Sequence, residues 1–271
     1  MKVLILPDGR NWVVDRNCKA LVGALPEIEF TIRGYSYNNE AFGIRQIKTE
    51  ELEEISKDFD LIHMFNWDVG WLKGLSRLET PLLITVRSHR YRPAVLDFLN
   101  RPNTWFHVIN EDLLNDFPGA TYIPNGIFEH FKPRRKFTVG YAGHPHEIAK
   151  QYDGYYLIQQ ACKELNVKFN PALKIDPRDM PRYYRSLDLY VCASEAEGFS
   201  TGTMECLAMN IPAISVDSGV ARHHVPFIIE RTVEGIKEGI LKFYTQPLVE
   251  KYRWSKLAPQ YKSLYEKILN T

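Results

Sequence analysis

Two carboxylates, Glu197 and Glu205, stand in one segment with seven residues between them, surrounded by glycines and hydroxyl side chains. The run 188–192 just before this segment is short, β-branched and aromatic, which predicts a buried parallel strand. Residues 203–209 are rich in helix formers, so the segment leads from a strand into a helix. The first N–H groups of such a helix lack partners and its dipole is positive there, so this position attracts anions.

The residue types of the segment indicate which anion it binds. Gly198 and Gly202 let the backbone approach a ligand closely, and the hydroxyl side chains cap the helix or donate to phosphate oxygens. Carboxylates repel a bare phosphate but accept hydrogen bonds from hydroxyl groups. A ligand with a diphosphate and sugar hydroxyls satisfies both, so we predict a nucleotide-sugar site. Its expected members are Glu197, Gly198, Phe199, Ser200, Thr201, Gly202 and Glu205.

The two glutamates with their flanks, Ser-x-x-Glu-Gly-Phe and Glu-Cys-Leu-Ala-Met-x-x-Pro, resemble the E-x7-E signature of family 4 glycosyltransferases. The resemblance implies an α/β protein of the GT-B fold, with two Rossmann-like domains facing each other across a cleft. It implies that Glu205 holds the ribose hydroxyls and that Glu197 acts at the transferred sugar, near its reacting carbon. It also implies retention of the anomeric configuration. Retention uses either a nucleophilic carboxylate or same-face attack, and the resemblance favours same-face attack.

The segment 122–127, Tyr-Ile-Pro-Asn-Gly-Ile, resembles the junction at which the first domain of this family ends. Asn-Gly after proline is also simply a good turn. We predict an acceptor domain over 1–130, a nucleotide-sugar domain over 131–246, and terminal helices over 247–271 that cross back to the first domain. Family 4 enzymes usually run longer, so the chain resembles a shortened member, of a kind that occurs in viral genomes.

Three residues of the first domain are candidates by the same resemblance. Gly9, after the first predicted strand, matches a glycine that lets the donor phosphate approach, although a plain turn is an equal alternative. His63 matches the first histidine of a family segment and is a candidate catalytic residue, with a buried core histidine as the rival interpretation. Arg87 stands where the family places a histidine that faces the sugar, and His89 follows two residues later.

The second domain departs from the family where its phosphate-binding cations are expected. In the family, an arginine and a lysine that follow the first strand of the second domain neutralise the diphosphate. When this segment is compared with the family motif, Asp153 takes the position of the lysine and His144 takes that of the arginine. Lys150 lies one helical turn upstream of Asp153. We therefore expect Lys150 and His144 to contact the donor diphosphate. Without such contacts the leaving group lacks its usual cation.

Composition and charge exclude several other classes of protein. The formal net charge is +1, which argues against purely electrostatic binding of polyanions. The four cysteines show no metal-ligand spacing and predict buried thiols in a reducing compartment. Asp58 and Asp60 precede their strand instead of following it, so we reject a D-x-D metal site there. No run is apolar enough for a signal peptide or a membrane span, which predicts a cytoplasmic protein.

The sequence therefore predicts a metal-independent retaining glycosyltransferase without a cofactor. Its donor is a nucleotide-diphosphate sugar, UDP- or GDP-linked, and its acceptor is a glycan, a lipid-linked sugar or modified DNA. One alternative is a catalytically impaired nucleotide-sugar-binding protein. Another is a viral-type enzyme that glycosylates hydroxymethylated bases in DNA. A nicotinamide-dependent Rossmann enzyme is disfavoured, because no G-x-G-x-x-G follows the first strand. The oligomeric state is not predicted.

Overall fold

The computed structural model describes residues 1–7, 13–33, 49–65, 75–87, 93–133, 135–144, 146 and 151–271. The chain divides into two compact units. Unit 1 comprises Met1–Phe131 together with Val249–Thr271, and unit 2 comprises Lys132–Leu248. The predicted boundaries, after residues 130 and 246, lie within two residues of these divisions.

Unit 1 contains a parallel six-stranded sheet with the strand order β2-β1-β3-β4-β5-β6. The strands are β1 Lys2–Leu6, β2 Glu29–Ile32, β3 Leu61–Met64, β4 Leu82–Val86, β5 Thr104–Val108 and β6 Thr121–Tyr122. Strand residues alternate between the two faces of a sheet, so an apolar strand such as β1 supplies both faces at once. Leu4 and Leu6 pack into one core, and Val3 and Ile5 pack into the other.

Helices cover this sheet. The described helices of unit 1 are α1 Val13–Ala24, α2 Thr49–Ser56 and the C-terminal helix, here called α8, Trp254–Leu269. The buried stripe of α8 repeats every three or four residues and includes Trp254, Tyr261 and Tyr265, which join the core that contains Val3 and Ile5. The C-terminal segment is therefore an integral part of unit 1.

Unit 2 contains a parallel five-stranded sheet with the strand order β11-β10-β9-β7-β8. The strands are β7 Thr138–Ala142, β8 Lys168–Ala172, β9 Leu189–Cys192, β10 Ala213–Val216 and β11 Ile228–Ile229. Pro171 lies inside strand β8, and because proline cannot donate to a sheet hydrogen bond, it is confined to edge strands. Strand β8 stands at the edge of the sheet, where it has only β7 as a neighbour.

The described helices of unit 2 lie between successive strands along the chain or follow the last strand. They are α3 Tyr155–Glu164, α4 Met180–Tyr184, α5 Thr201–Ala208 and α6 Val233–Leu241, and α7 Gln246–Glu250 follows at the boundary with unit 1. Apolar clusters cover both faces of the sheet. The predicted fold class, two Rossmann-like α/β domains, is confirmed, whereas the cleft between them stays a prediction. None of the described helices is both long enough and apolar enough to cross a membrane.

Candidate functional site

The motif with the two glutamates lies at the point in unit 2 where the strand order reverses. Strand β7 is hydrogen-bonded to β8 on one side and to β9 on the other. In an open parallel sheet, the loops that leave two such strands diverge and leave a crevice at their carboxyl ends. The loop after β9 and helix α5 form one wall of that crevice, and the end of β7 forms another.

A cavity of about 380 Å³ occupies this crevice. Its volume lies in the range of small-molecule binding sites. The residues that line it are Tyr141, Ala142, Gly143, Asp153, Tyr184, Tyr190, Cys192, Ser194, Glu197, Ser200, Thr201, Gly202 and Glu205. Five of the predicted donor-site residues are therefore brought together around one cavity: Glu197, Ser200, Thr201, Gly202 and Glu205.

Helix α5 begins without a side-chain cap. Its N-cap residue, Ser200, adopts the left-handed backbone conformation (φ 53°) and makes no capping hydrogen bond. The Ser200 hydroxyl instead bonds the Thr203 hydroxyl at 2.8 Å and the Cys192 sulfur at 3.3 Å, and the residue is buried. Of the two predicted roles of the Ser200 hydroxyl, capping of the helix is wrong, and donation to a phosphate stays a prediction. Because this side chain is used elsewhere, the N–H groups of the first turn remain available to a ligand.

The loop that carries Glu197 is held by backbone contacts. The backbone N–H of Val220 donates to the Gly198 carbonyl at 2.9 Å. Gly219 has a φ of +61°, and a Cβ there would lie 2.7 Å from the carbonyl oxygens of Glu197 and Gly198. Only glycine fits this position without strain. The close approach of Gly219 thus fixes the path of the loop.

Arginine side-chain contacts tie the start of the same loop to the segment before α3. The Arg231 Nε donates to the carbonyl of Ala193 at 2.9 Å. Its Nη2 donates to the carbonyls of Gln151 at 2.8 Å and Tyr152 at 3.0 Å. Arg231 therefore joins two segments that line the cavity.

Glu205 is held by a tyrosine. The Tyr184 hydroxyl donates to Oε2 of Glu205 at 2.6 Å. Burial, and then the hydrogen bond to Glu205, raises the pKa of the Tyr184 hydroxyl well above its usual range. Gly202 makes room for this pair: a Cβ there would lie 2.4 Å from the Tyr190 hydroxyl and 3.3 Å from the Tyr184 hydroxyl. Gly202 is thus required by its tyrosine neighbours, in addition to the predicted ligand approach.

The other side of the cavity is also acidic. The Tyr141 hydroxyl donates to Oδ2 of Asp153 at 3.3 Å. Burial, and then the Asp153 carboxylate, raises the pKa of Tyr141 well above its usual range. With Glu197 and Glu205, Asp153 makes three carboxylates in the lining, and the described lining residues include no lysine or arginine.

The remaining donor-site predictions lie near the cavity or outside the described chain. Gly198 and Phe199 are exposed in the loop beside the lining residues, with Phe199 54% exposed. His144 is exposed, follows the lining residue Gly143, and accepts a hydrogen bond on Nδ1 from the backbone N–H of His146 at 3.2 Å. The predictions for Gly9 and Lys150 fall outside the described residues.

His63 is a core residue, which corrects the expectation that it is catalytic. It is 0% exposed, and both ring nitrogens have partners in unit 1: Nδ1 lies 2.7 Å from the Tyr265 hydroxyl and Nε2 lies 2.8 Å from the Thr85 hydroxyl. Burial, and then the nearby His107, lowers the pKa of His63 well below its usual range. A ring without free nitrogens and without exposure cannot contact a substrate.

Arg87, the third predicted catalytic residue, is half-buried and follows β4 in unit 1. Burial lowers the pKa of His107, and the positive charge of Arg87 adds to that effect. Its predicted contact with a sugar stays a prediction.

The tyrosines were not foreseen in the site. Tyr184 precedes the predicted strand 188–192, Tyr190 lies within it, and Tyr141 is the penultimate residue of β7. The available signal was the alternation along β9: because Leu189 and Val191 face one core, Tyr190 and Cys192 face the other side together with Tyr184.

Within the described part of the chain, no group of three or more histidine, cysteine or acidic residues could hold a metal ion.

Residues 132–246 match a family model described as glycosyl transferases group 1. The match covers unit 2 to within two residues of its end and none of unit 1. The predicted resemblance to this class of glycosyltransferases is thus confirmed for unit 2. No curated protein sequence matches the chain.

Solved structures also resemble the chain, at low identity. A glycosyltransferase from Rickettsia africae ESF-5 is 12% identical, with 100% of this chain and 99% of that chain covered and a TM-score of 0.44. The catalytic domain of starch synthase IV from Arabidopsis thaliana, bound to ADP and acarbose, is 14% identical, with coverages of 100% and 99% and a TM-score of 0.37.

Proposed function

We propose that this protein is a glycosyltransferase that binds a nucleotide-diphosphate sugar in the cavity of unit 2 and transfers the sugar to an acceptor hydroxyl. The observation that carries the proposal is the cavity at the strand-order reversal. An uncapped helix N-terminus and both glutamates of the E-x7-E motif line it. The family match over residues 132–246 supports the same assignment.

Each part of the donor has a chemical counterpart in this cavity. The N–H groups of the first turn of α5 suit the diphosphate. Glu205 suits the ribose hydroxyls, and Glu197 suits the hydroxyls of the transferred sugar, because carboxylates accept hydrogen bonds from hydroxyl groups. We expect a UDP- or GDP-linked donor, and we expect Lys150 and His144 to add positive charge at the diphosphate.

The reaction breaks the bond between the anomeric carbon and the diphosphate oxygen and forms a bond from that carbon to the acceptor oxygen. The departing diphosphate gains negative charge, which the dipole of α5 stabilises. In same-face attack, the acceptor oxygen bonds to the face of the anomeric carbon that the diphosphate leaves, so the configuration is retained, and the departing phosphate oxygen takes the acceptor's proton. This route needs no divalent metal and no cofactor.

The acceptor class stays open among a glycan, a lipid-linked sugar and a hydroxymethylated base in DNA. The basic residues of unit 1 do not decide between them. The Arg101 guanidinium donates to the Leu78 carbonyl and to the Thr104 hydroxyl, so it serves the fold. Arg77 lies 3.6 Å from the Glu53 carboxylate.

Calorimetric titration with UDP, GDP, ADP and dTDP, and then with their sugar conjugates, tests the donor site. We expect one nucleotide to bind with micromolar affinity. We expect Glu205→Gln to weaken that binding by about tenfold or more, because it removes the charge from a hydrogen-bond acceptor. The control Glu238→Gln changes an exposed carboxylate on α6 and should leave the affinity unchanged. If no nucleotide binds, the proposal is wrong.

A second candidate function is a nucleotide-sugar-binding protein without turnover. It is favoured by the three carboxylates and the absence of lysine and arginine from the described cavity lining. An assay of donor hydrolysis, in which water replaces the acceptor, distinguishes the two functions. Slow release of nucleoside diphosphate from the bound donor supports the enzyme, and tight binding without release supports the binding protein.

A further inference from the structure

Tyr184 is a rigid residue at the edge of the cavity. It is the last residue of α4 and is 2% exposed. Its ring lies 5.4 Å from the ring of Tyr183 and 6.0 Å from the ring of Tyr190, measured between centroids. Aromatic packing on both sides holds the hydroxyl in one place.

The hydroxyl of Tyr184 forms a hydrogen bond with one of the two carboxylate oxygens of Glu205. The bond to Oε2, at 2.6 Å, has the short length of a charge-assisted hydrogen bond. Glu205 itself is exposed, and without this bond its side chain would sample several rotamers. Among the described residues, none forms a hydrogen bond with the other oxygen, Oε1. The carboxylate is therefore fixed in orientation, with one oxygen left for a ligand.

The pair also depends on the helix that carries Glu205. Gly202 lies one turn earlier on α5, and any side chain there would approach the hydroxyls of Tyr184 and Tyr190. Burial keeps the Tyr184 hydroxyl protonated, because its pKa is raised well above the usual range. The Tyr184 hydroxyl therefore keeps the proton that it donates to Glu205 at neutral pH.

We propose that Tyr184 is a positioning residue that orients Glu205 toward the ribose of the donor and so sets the preference of the cavity for a ribonucleotide over its 2′-deoxy counterpart. The inference rests on the proposed function, because it assigns Glu205 to the ribose. A fixed carboxylate recognises a ribose hydroxyl better than a mobile one, since less conformational entropy is lost on binding.

The test compares UDP with 2′-deoxy-UDP by calorimetry, or GDP with 2′-deoxy-GDP if the titrations select guanine. We expect the natural protein to bind the ribonucleotide about tenfold more tightly, as suits one hydrogen bond to a charged group. Tyr184→Phe keeps the packed ring and leaves Glu205 in water, so the fold should persist. This variant should lose most of the tenfold preference while its affinity for the 2′-deoxy nucleotide stays within about twofold.

The matched control is Tyr183→Phe, in the same helix. The Tyr183 hydroxyl lies 2.6 Å from the Asn170 carbonyl oxygen and 2.9 Å from the Tyr141 carbonyl oxygen, and it does not line the cavity. This variant should lose stability but keep the tenfold preference. If Tyr184→Phe keeps the preference, or weakens both nucleotides equally, the inference is wrong and donor binding stands. If the natural protein binds no nucleotide, the proposed function fails as well.

Discussion

Glu197 and Glu205 come from one motif but have different surroundings. Glu205 is exposed on α5 and is oriented by Tyr184. Glu197 is half-buried in the loop before α5, and its charge is one of several that raise the pKa of Tyr141. These surroundings agree with the proposed roles, in which Glu205 holds the nucleotide and Glu197 acts at the sugar.

Replacing Glu197 should separate binding from turnover. We expect Glu197→Gln to lower the rate of donor hydrolysis by about a hundredfold, because a charge aimed at the developing transition state is removed. Nucleotide affinity should stay within about twofold, because the nucleotide does not contact this residue in our proposal. Glu195→Gln is the matched control, because Glu195 is an exposed carboxylate of the same loop outside the cavity lining. An unchanged rate in Glu197→Gln would contradict the catalytic role.

At the level of elements, the loop before α5 and the turn after β10 depend on each other. The turn brings Gly219 against the carbonyls of Glu197 and Gly198, and Val220 donates to the Gly198 carbonyl. The loop therefore holds its shape through a contact with a neighbouring loop of the same sheet edge. Gly198 itself has open space around the position of a Cβ and is not in the left-handed region.

Two glycine-to-alanine variants should distinguish these roles. We expect Gly219→Ala to lower the free energy of unfolding of unit 2 by about 2 kcal/mol, from left-handed strain and the clash with two carbonyls. Gly198→Ala should leave stability unchanged and weaken only nucleotide binding, if a ligand approaches there. Circular dichroism during urea unfolding gives the stability. Equal stability of both variants would contradict the role assigned to Gly219.

At the level of the whole molecule, a chain of hydrogen bonds holds α8 against the sheet of unit 1. The His107 Nε2 donates to the Ile123 carbonyl at 2.7 Å, so its Nδ1 accepts from the Thr85 hydroxyl at 3.0 Å. Thr85 in turn accepts from His63 Nε2, which leaves His63 Nδ1 to accept from the Tyr265 hydroxyl. Both ring nitrogens of each histidine therefore form a hydrogen bond while both rings are neutral. An added proton would break the chain.

Unit 1 should therefore lose stability in mild acid. Burial lowers the pKa of His107 to about 4, and it lowers that of His63 too, whereas an unfolded histidine titrates near 6.5. Between these values the unfolded state binds more protons, so the free energy of unfolding falls as the pH falls. From pH 7 to pH 5 we expect His107 alone to contribute a loss on the order of 2 kcal/mol.

Tryptophan fluorescence during urea unfolding measures this effect selectively, because all five tryptophans lie in the segments of unit 1. His63→Gln keeps a donor and an acceptor but cannot titrate, so the loss between pH 7 and pH 5 should become smaller. His130→Gln replaces an exposed histidine of unit 1 and should not change it. If His63→Gln follows the natural protein's pH profile, protonation of His63 does not contribute to the loss of stability.

The sequence by itself determined the features that depend on neighbours along the chain. The apolar runs that became β1, β4 and β9 mark buried parallel strands, because burial on both faces requires unbroken apolar character. The E-x7-E spacing predicted that both glutamates lie near one helix N-terminus, because a strand, a short loop and a helix have few ways to connect. The helix begins at Thr201, two residues before its predicted start.

Only the tertiary structure decided which side chains meet across the fold. Tyr184 is 21 residues from Glu205 along the chain, and Tyr265 is 202 residues from His63. No local pattern encodes such pairs, because they depend on how strands are ordered and which faces of helices pack on them. This packing gave His63, which lies in a segment that resembles the family, a structural role in unit 1. It also placed Tyr141, Tyr184 and Tyr190, which are buried in the apolar clusters of unit 2, along the lining of its acidic cavity.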